Sequence, residues 1–181
     1  MIIETKHYQL KNGLKLMLRS PLKSDAKEIL DYLKLVTGES RFLLRYPVEC
    51  PEDIEAEAHF IETINSHESQ AMILAIIGDE IVGVSNVGLK TKLKLKHRAT
   101  LGISIQKKVW GYGIGSLMMD QMIYLSKSWG AERLELEVIE GNERAIKLYQ
   151  AKGFEIASEL KHAIKETDGI YYSEYVMTKP L

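Results

Sequence analysis

Cysteine is nearly missing from this chain: Cys50 stands alone. No internal disulfide and no cysteine-based zinc cluster can form, a usage that suits a reducing cytoplasm. Proline is also scarce, at 4 residues, and no proline-rich linker, repeat or low-complexity tract divides the chain. Residues 1–181 are therefore expected to form a single domain, long enough to bury one real core. Charge of either sign is not in excess: 24 Lys and Arg against 25 Asp and Glu leave a net −1. That balance gives no bulk attraction to nucleic acid or to an anionic membrane, so neither is expected as a partner. Long apolar runs are missing too. AMILAII at 71–77 is the longest, far short of the roughly 20 residues that span a bilayer. The opening MIIETKHYQL has no apolar stretch of the secretory kind. The expectation is a soluble, cytoplasmic globular protein, with 45% hydrophobic and 27% charged residues in the ordinary range.

What is present is a strong alternation of patterns. YQLKNGLKLMLR (8–19) places an Asn-Gly pair between two alternating runs, which reads as a hairpin. Ser24 is expected to cap a helix carrying Ala26, Ile29, Leu30, Leu33 and Val36 at helical spacing. TGESRFLLRYPVEC (37–50) has no period and reads as an irregular connection. Pro51 is expected to start a second helix, with the stripe Ile54, Ala58, Ile61, Ile64. AMILAII and EIVGVSNVGL form strands around Gly78-Asp79, and ATLGISI (99–105) is a further strand. A helix then carries Ile114, Leu117, Met118, Met122, Leu125 and Trp129. RLELEV (133–138) is a strand, Asn142 to about Lys152 a short helix, and FEIASEL and IYYSEYVM are strands closing the chain. The late strand–helix–strand order requires at least one parallel right-handed crossover, so the fold class is α/β with helices on both faces of a sheet.

Residues 107–116, KKVWGYGIGS, carry glycine at every second position. Gly111, Gly113 and Gly115 have no side chain to bury, so they mark either unusual dihedrals or a close approach to the backbone. A glycine-rich turn that opens a helix is suited to holding phosphate. A P-loop is excluded because no lysine follows the glycines. A dinucleotide fingerprint fits poorly, because Ser116 occupies the third glycine position and Gln106 to Trp110 separate the glycines from the strand. Along 99–105, Leu101, Ile103 and Ile105 share a packing face, while Thr100, Gly102 and Ser104 leave room above the other.

Downstream, VIEGNERAIKLYQAKGF (138–154) begins a helix at Asn142 and ends it at Lys152-Gly153. Together with WGYGIGS this resembles the GNAT superfamily of acetyl-CoA-dependent N-acetyltransferases, over roughly residues 70–178 and most specifically 99–154. Trp110 occupies the position where that family carries Gln or Arg, and Gly113 and Gly115 match its phosphate motif. The resemblance implies a mixed, mostly antiparallel sheet of six to seven strands with about four helices, splayed at two central parallel strands. It implies acetyl-CoA as co-substrate, without a metal, contacting Ile103, Ile105, Gly111, Tyr112, Gly113, Ile114, Gly115, Ser116 and Asn142. It also implies Tyr149 as the acid that protonates the leaving thiolate; the plainer reading of Tyr149 is a half-buried helix aromatic.

Several assignments stay open at this level. The family's central-strand glutamate falls at about Thr100, which cannot act as a base. Glu137, Glu140 or a water chain remain as candidates. Lys107 and Lys108 either reach phosphate or form a solvated pair. KTKLKLKHR (90–98) reads as a strand rim whose lysines either meet an anionic partner or discourage aggregation. Glu39, Arg41 and Tyr46 are candidates for contacting the amine acceptor, a polyamine, small amine or protein amino terminus. A non-catalytic acyl-CoA-binding module is the alternative function, with a dinucleotide-binding enzyme third. The closing strand is a candidate for pairing with a second copy.

Overall fold

The computed structural model describes all of residues 1–181. One sheet of eight strands organises the chain. Its strands are β1 (Lys6–Gln9), β2 (Lys15–Arg19), β3 (Gln70–Ile77), β4 (Glu80–Leu89), β5 (Arg98–Ile105), β6 (Arg133–Ile139), β7 (Glu155–Lys165) and β8 (Tyr171–Pro180). The helices are α1 (Ala26–Glu39), α2 (Ile54–Ser66), α3 (Ile114–Ser128) and α4 (Glu143–Ala151). Spatial order is β1-β2-β3-β4-β5-β6-β8-β7, antiparallel throughout except for the β5–β6 pair.

Turn chemistry accounts for the early hairpins. Gly13 adopts φ +84° and Gly78 φ +62°, values that a side chain resists. The Asn12 side chain accepts from the Leu14 amide at 3.2 Å. Between β3 and β4 the register slips, with Ile76 opposite Ile81 and Ala75 opposite Gly83. Val82 is the extra residue of a bulge, which bends the strand next to the sheet's centre.

Each face of the sheet has its own core. Met118, Met119, Met122 and Leu125 of α3 pack with Leu16, Ile73, Ala99, Leu134, Leu136 and Met177 on one face. Ile29, Tyr32 and Val36 of α1 pack with Ala58 and Ile61 of α2 over Met72, Leu74 and Val84 on the other. Apolar side chains at strand spacing on both faces of β3 make it a buried central strand.

Local chemistry moves several boundaries from their sequence expectation. Ser24 does not cap α1: it lies within a 3-10 turn over Lys23–Asp25. The second helix begins at Ile54 rather than Pro51, because the Asp53 carboxylate accepts from the Ala56 amide at 3.0 Å and sets the start. The sheet has eight strands, more than the expected six to seven. Residues 90–97 of the lysine-rich run are not a strand, which begins only at Arg98. They form a loop containing a 3-10 turn over Leu93–Leu95, and Leu93 is 82% exposed. Its alternation has no surface to bury against, so it directs no pairing. The last strand is not an edge either: β8 inserts between β6 and β7, and β7 is the edge.

The parallel β5–β6 pairing lasts only for Arg98–Arg133, Ala99–Leu134 and Thr100–Glu135, after which the strands part. Where they part, buried Glu135 holds Arg98 through a bidentate bond at 2.5 and 2.7 Å, with Lys90 at 3.2 Å and Arg133 at 3.0 Å. Burial alone would raise the Glu135 carboxyl, but the hydrogen bonds and charges of Arg98 and Lys90 outweigh it and hold the group below its ordinary 4.5. A lowered carboxyl contributes stability above its unfolded value that is lost as pH falls through the folded one. Glu135→Ala is expected to lower the melting temperature at pH 7, and the gap from the parent protein should close below about pH 4.5. A gap that is constant from pH 7 to 3, followed by circular dichroism, would show that the ion pairs contribute nothing at this junction.

Candidate functional site

The parting of β5 and β6 opens a cleft of about 870 Å³ that runs through the sheet. On the α3 side it is lined by the glycine turn and by α4; on the α1 side, by Val36, Thr37 and Ser40 and by Phe42–Arg45. Main-chain direction follows from register. Gln106 N–H donates to Val82 O, and Lys90 N–H to Arg98 O, both at 2.9 Å. Alternation in an antiparallel pair then turns Thr100, Gly102 and Ser104 toward β4, and Ile103 and Ile105 toward the gap. The Ile105 carbonyl is taken by the Trp110 indole N–H at 2.8 Å. The Ile105 N–H and both backbone groups of Ile103 face the opening.

The glycines divide the work. Gly111 and Gly113 both adopt φ +86°, and nothing lies within 4 Å of where a Cβ would be. They are there for dihedrals. Gly115 has ordinary φ, but a Cβ would meet Leu148 at 3.0 Å and Ile105 at 3.2 Å, so it permits close packing of α3 on α4 and β5. The turn leaves the amides of Gly111, Gly113, Ile114, Gly115 and Ser116 without an acceptor in the chain. They form the positive end of a 15-residue helix. Arg144 adds a full charge there, stacked over the Trp110 ring with its guanidinium carbon 4.8 Å from the centroid. Unpaired amides, a helix dipole and a cation suit a diphosphate, and the Ile103–Ile105 edge suits an amide-bearing chain leading from it.

Asn142 caps α4, its side chain accepting from the Ala145 amide at 3.3 Å. About two turns later, Tyr149 is 7% exposed, packs on Phe154 at 6.2 Å and lines the cleft. Burial pushes its phenol up to about 12. On β6, Leu134, Leu136 and Val138 belong to the α3-side core, so Glu137 projects to the α1 side, where it lines the cleft. Glu174 on β8 is opposite Ile139 and shares that face. Burial raises the Glu174 carboxyl, and the charge of Glu137 adds to the effect. The cleft thus has Arg144 and unpaired amides at its glycine end, with Glu143 next to Arg144 in the chain, and the Glu137 carboxylate at the other. Tyr32 ties α1 to β5 through Ser104 at 2.9 Å, closing the wall between them.

Of the residues singled out from sequence, Ile103, Ile105, Gly111, Gly113, Ile114, Gly115, Ser116, Asn142 and Tyr149 all line the cleft. Tyr112 does not; its ring is 38% exposed outside it. Lys108 is held by Glu80 at 2.5 Å, and neither it nor Lys107 lines the cleft. Glu39 accepts from the Lys107 amide at 2.8 Å. Tyr46 donates to Glu166 at 2.5 Å, and Arg41 stacks on Tyr172 at 4.4 Å. None of these three lines the cleft; their neighbours Phe42, Leu43, Leu44 and Arg45 do. Glu140 accepts from the Ser173 amide at 3.0 Å and does not line the cleft, whereas Glu137 does, as does Glu143 in the first turn of α4. Arg144 escaped the sequence reading, although a cation in the first turn of a helix opposes the dipole and signals another purpose. No group of three His, Cys, Asp or Glu side chains is arranged to hold a metal, and no helix is long and apolar enough to cross a membrane.

Replacing Gly113 by Ala is expected to cost about 1–2 kcal/mol in urea unfolding, because of its left-handed dihedral. Asn142→Ala is expected to cost about 1 kcal/mol through the lost cap. Gly102→Ala, with ordinary φ and open space around it, is expected to stay within about 0.5 kcal/mol. Equal costs at Gly113 and Gly102 would mean that the turn geometry is not what requires glycine.

Comparison with known proteins gives a consistent match. Residues 40–154 match the acetyltransferase (GNAT) family. The chain is 30% identical over 109 residues to the L-amino acid N-acetyltransferase AaaT of Escherichia coli, covering 59% of this chain and 66% of that protein. It is 26% identical over 187 residues to an N-alpha-acetyltransferase of Sulfurisphaera tokodaii, covering 96% of this chain and 98% of the relative. Among solved structures, the GNAT-family acetyltransferase of Streptococcus pneumoniae superposes with a TM-score of 0.87 at 28% identity. That match covers 92% of this chain and 99% of the other.

Proposed function

This chain belongs to the acetyltransferase (GNAT) family and is an acyltransferase of that family; on that premise we propose that it moves an acetyl group from acetyl-CoA to a primary amine by direct attack in a ternary complex. The observation that carries the reading is the continuity of one cleft. It joins the unpaired amides of the glycine turn, the free backbone edge at Ile103–Ile105, the Tyr149 phenol and the Glu137 carboxylate.

Each residue then has a task set by its chemistry. The amides of Gly111, Gly113, Ile114, Gly115 and Ser116, with Arg144, hold the diphosphate. The Ile103 backbone pairs with the pantetheine amides. An acceptor ammonium of pKa about 10.4 costs roughly 4 kcal/mol to deprotonate near pH 7.4; Glu137, directly or through water, takes that proton. The amine nitrogen bonds to the thioester carbon, and the Ile105 N–H meets the charge that develops on the carbonyl oxygen. As the carbon–sulfur bond breaks, Tyr149 gives its proton to the sulfur, and the second proton that the attacking nitrogen loses on becoming an amide restores the phenol through water. An ordinary thiol at about 8.5 lies well below a phenol at about 12. The same dry surroundings raise a buried thiolate too, which narrows the gap and makes the phenol a useful donor.

Tyr149→Phe is expected to lower kcat on the order of 10²-fold while acetyl-CoA affinity, read by calorimetry, stays within about two-fold. Because burial keeps the phenol protonated up to about pH 12, Tyr149 should add no alkaline limb to the parent's rate between about pH 6 and 10. Unchanged turnover in Tyr149→Phe would remove it from the chemistry. Tight acetyl-CoA binding without thiol release on any amine would favour a non-catalytic binding module.

A further inference from the structure

A second groove of about 330 Å³ lies on the α1/α2 face of the sheet. Phe60 and Ile64 of α2 form its wall, and Gly88, Thr100 and Gly102 its floor. Leu101 and Gly102 line both this groove and the main cleft, so the two spaces meet at the small-residue face of β5. Phe60 stands 47% exposed beside it, and no Cβ-sized obstacle lies within 4 Å of Gly102.

Strand register says what lies further along. Asn86 is opposite Gly102, Gly88 is opposite Thr100, and Thr100 is opposite Glu135. The Lys90 N–H to Arg98 O bond puts Lys90 beside Arg98, which is itself opposite Arg133. These residues lie on the face that carries Glu137 and Ser104. A chain leaving the cleft over Gly102 and Thr100 therefore arrives at Lys90, Arg98 and Arg133. Those cations share a single carboxylate, Glu135. The Lys90 and Arg133 side chains remain 30% and 46% exposed, leaving positive charge for a ligand. From Ile103 to Arg98 an extended strand rises about 17 Å, the reach of roughly five extended residues.

On the acetyltransferase reading above, we propose that the acceptor is the amino terminus of an extended peptide. It runs from the cleft along the small face of β5 and brings acidic side chains, about five to seven residues in, to Lys90, Arg98 and Arg133. Its ammonium is drawn to Glu137 and Glu174, and its next residues lie against Phe60 and Gly102. A polyamine would bring positive charge to the wrong end, and a free amino acid would leave the groove unused.

The test is initial-rate thiol release with acetyl-CoA and paired nine-residue peptides, one with Asp or Glu at positions 5–7 and one with Lys there. Spermidine and free amino acids are run alongside. The acidic peptide is expected to have the higher kcat/KM by about ten-fold, a ratio that falls as salt rises from about 50 to 500 mM. Lys90→Gln combined with Arg133→Gln, which leaves the bidentate Arg98–Glu135 pair in place, is expected to abolish the preference while acetyl-CoA affinity is kept, and Phe60→Ala to raise KM for both peptides. Equal rates for the two peptides, or faster turnover of spermidine or a free amino acid, would overturn the groove proposal and leave the acetyltransferase reading intact. Failure of the parent protein to bind acetyl-CoA or release thiol would instead sink the reading on which it rests.

Discussion

The rest of the structure depends on one short parallel contact. β5 and β6 pair over three residues and then diverge, because two strands of a twisted sheet stay together only where hydrogen bonds or side chains bind them. Glu135 provides that binding at the last paired position, through its bidentate bond to Arg98 and its contacts with Lys90 and Arg133. Beyond it, no strand pairs with the inner edge of β5, and only the Trp110 indole reaches it, at the Ile105 carbonyl. An unpaired edge in the middle of a sheet is normally costly. Here it faces a cleft large enough for a chain that supplies the missing bonds. The defect in the sheet is where the proposed acetyl-CoA site lies.

What surrounds the gap keeps it open and gives it polarity. Trp110 satisfies the Ile105 carbonyl where β6 no longer does, and its ring supports Arg144 at the end where the α3 amides point. Gly115 lets α3 and α4 come close without a side chain between them, so the helix dipole and Tyr149 reach the same space. On the opposite face, Glu137 and Glu174 concentrate negative charge. On the proposed function, an anionic donor and a cationic acceptor would meet opposite fields from the two sides of one sheet. The order of charge from Arg144 to Glu137, and then to Lys90 and Arg133, is what gives the proposed acceptor path a direction.

Much of this was legible from residues whose meaning is local. The alternating glycines, Asn142 followed by Tyr149, and the small face of ATLGISI all point to the cleft before any coordinates. Helix and strand periods follow from side-chain spacing alone, and so does the parallel crossover. The errors come from patterns without partners. KTKLKLKHR alternates like a strand but has nothing to pack against; Pro51 begins a helix in the abstract but yields to Asp53, which can cap. Glu39, Arg41 and Tyr46 have the right chemistry for an acceptor site, yet each finds a closer partner elsewhere in the chain.

By itself, then, the sequence determined most of the elements and the glycine turn, because dihedral preference, period and capping act within a few residues; the residues proposed for acetyl transfer came from the family resemblance. Tertiary structure alone decided that β8 enters between β6 and β7, that Trp110 and Arg144 stack, and that Glu137 rather than Glu140 faces the cleft. It also decided that three cations from separate elements converge beside a groove on Glu135. Those outcomes depend on which strands become neighbours, and strand neighbours are chosen by the burial of two whole faces rather than by any local signal.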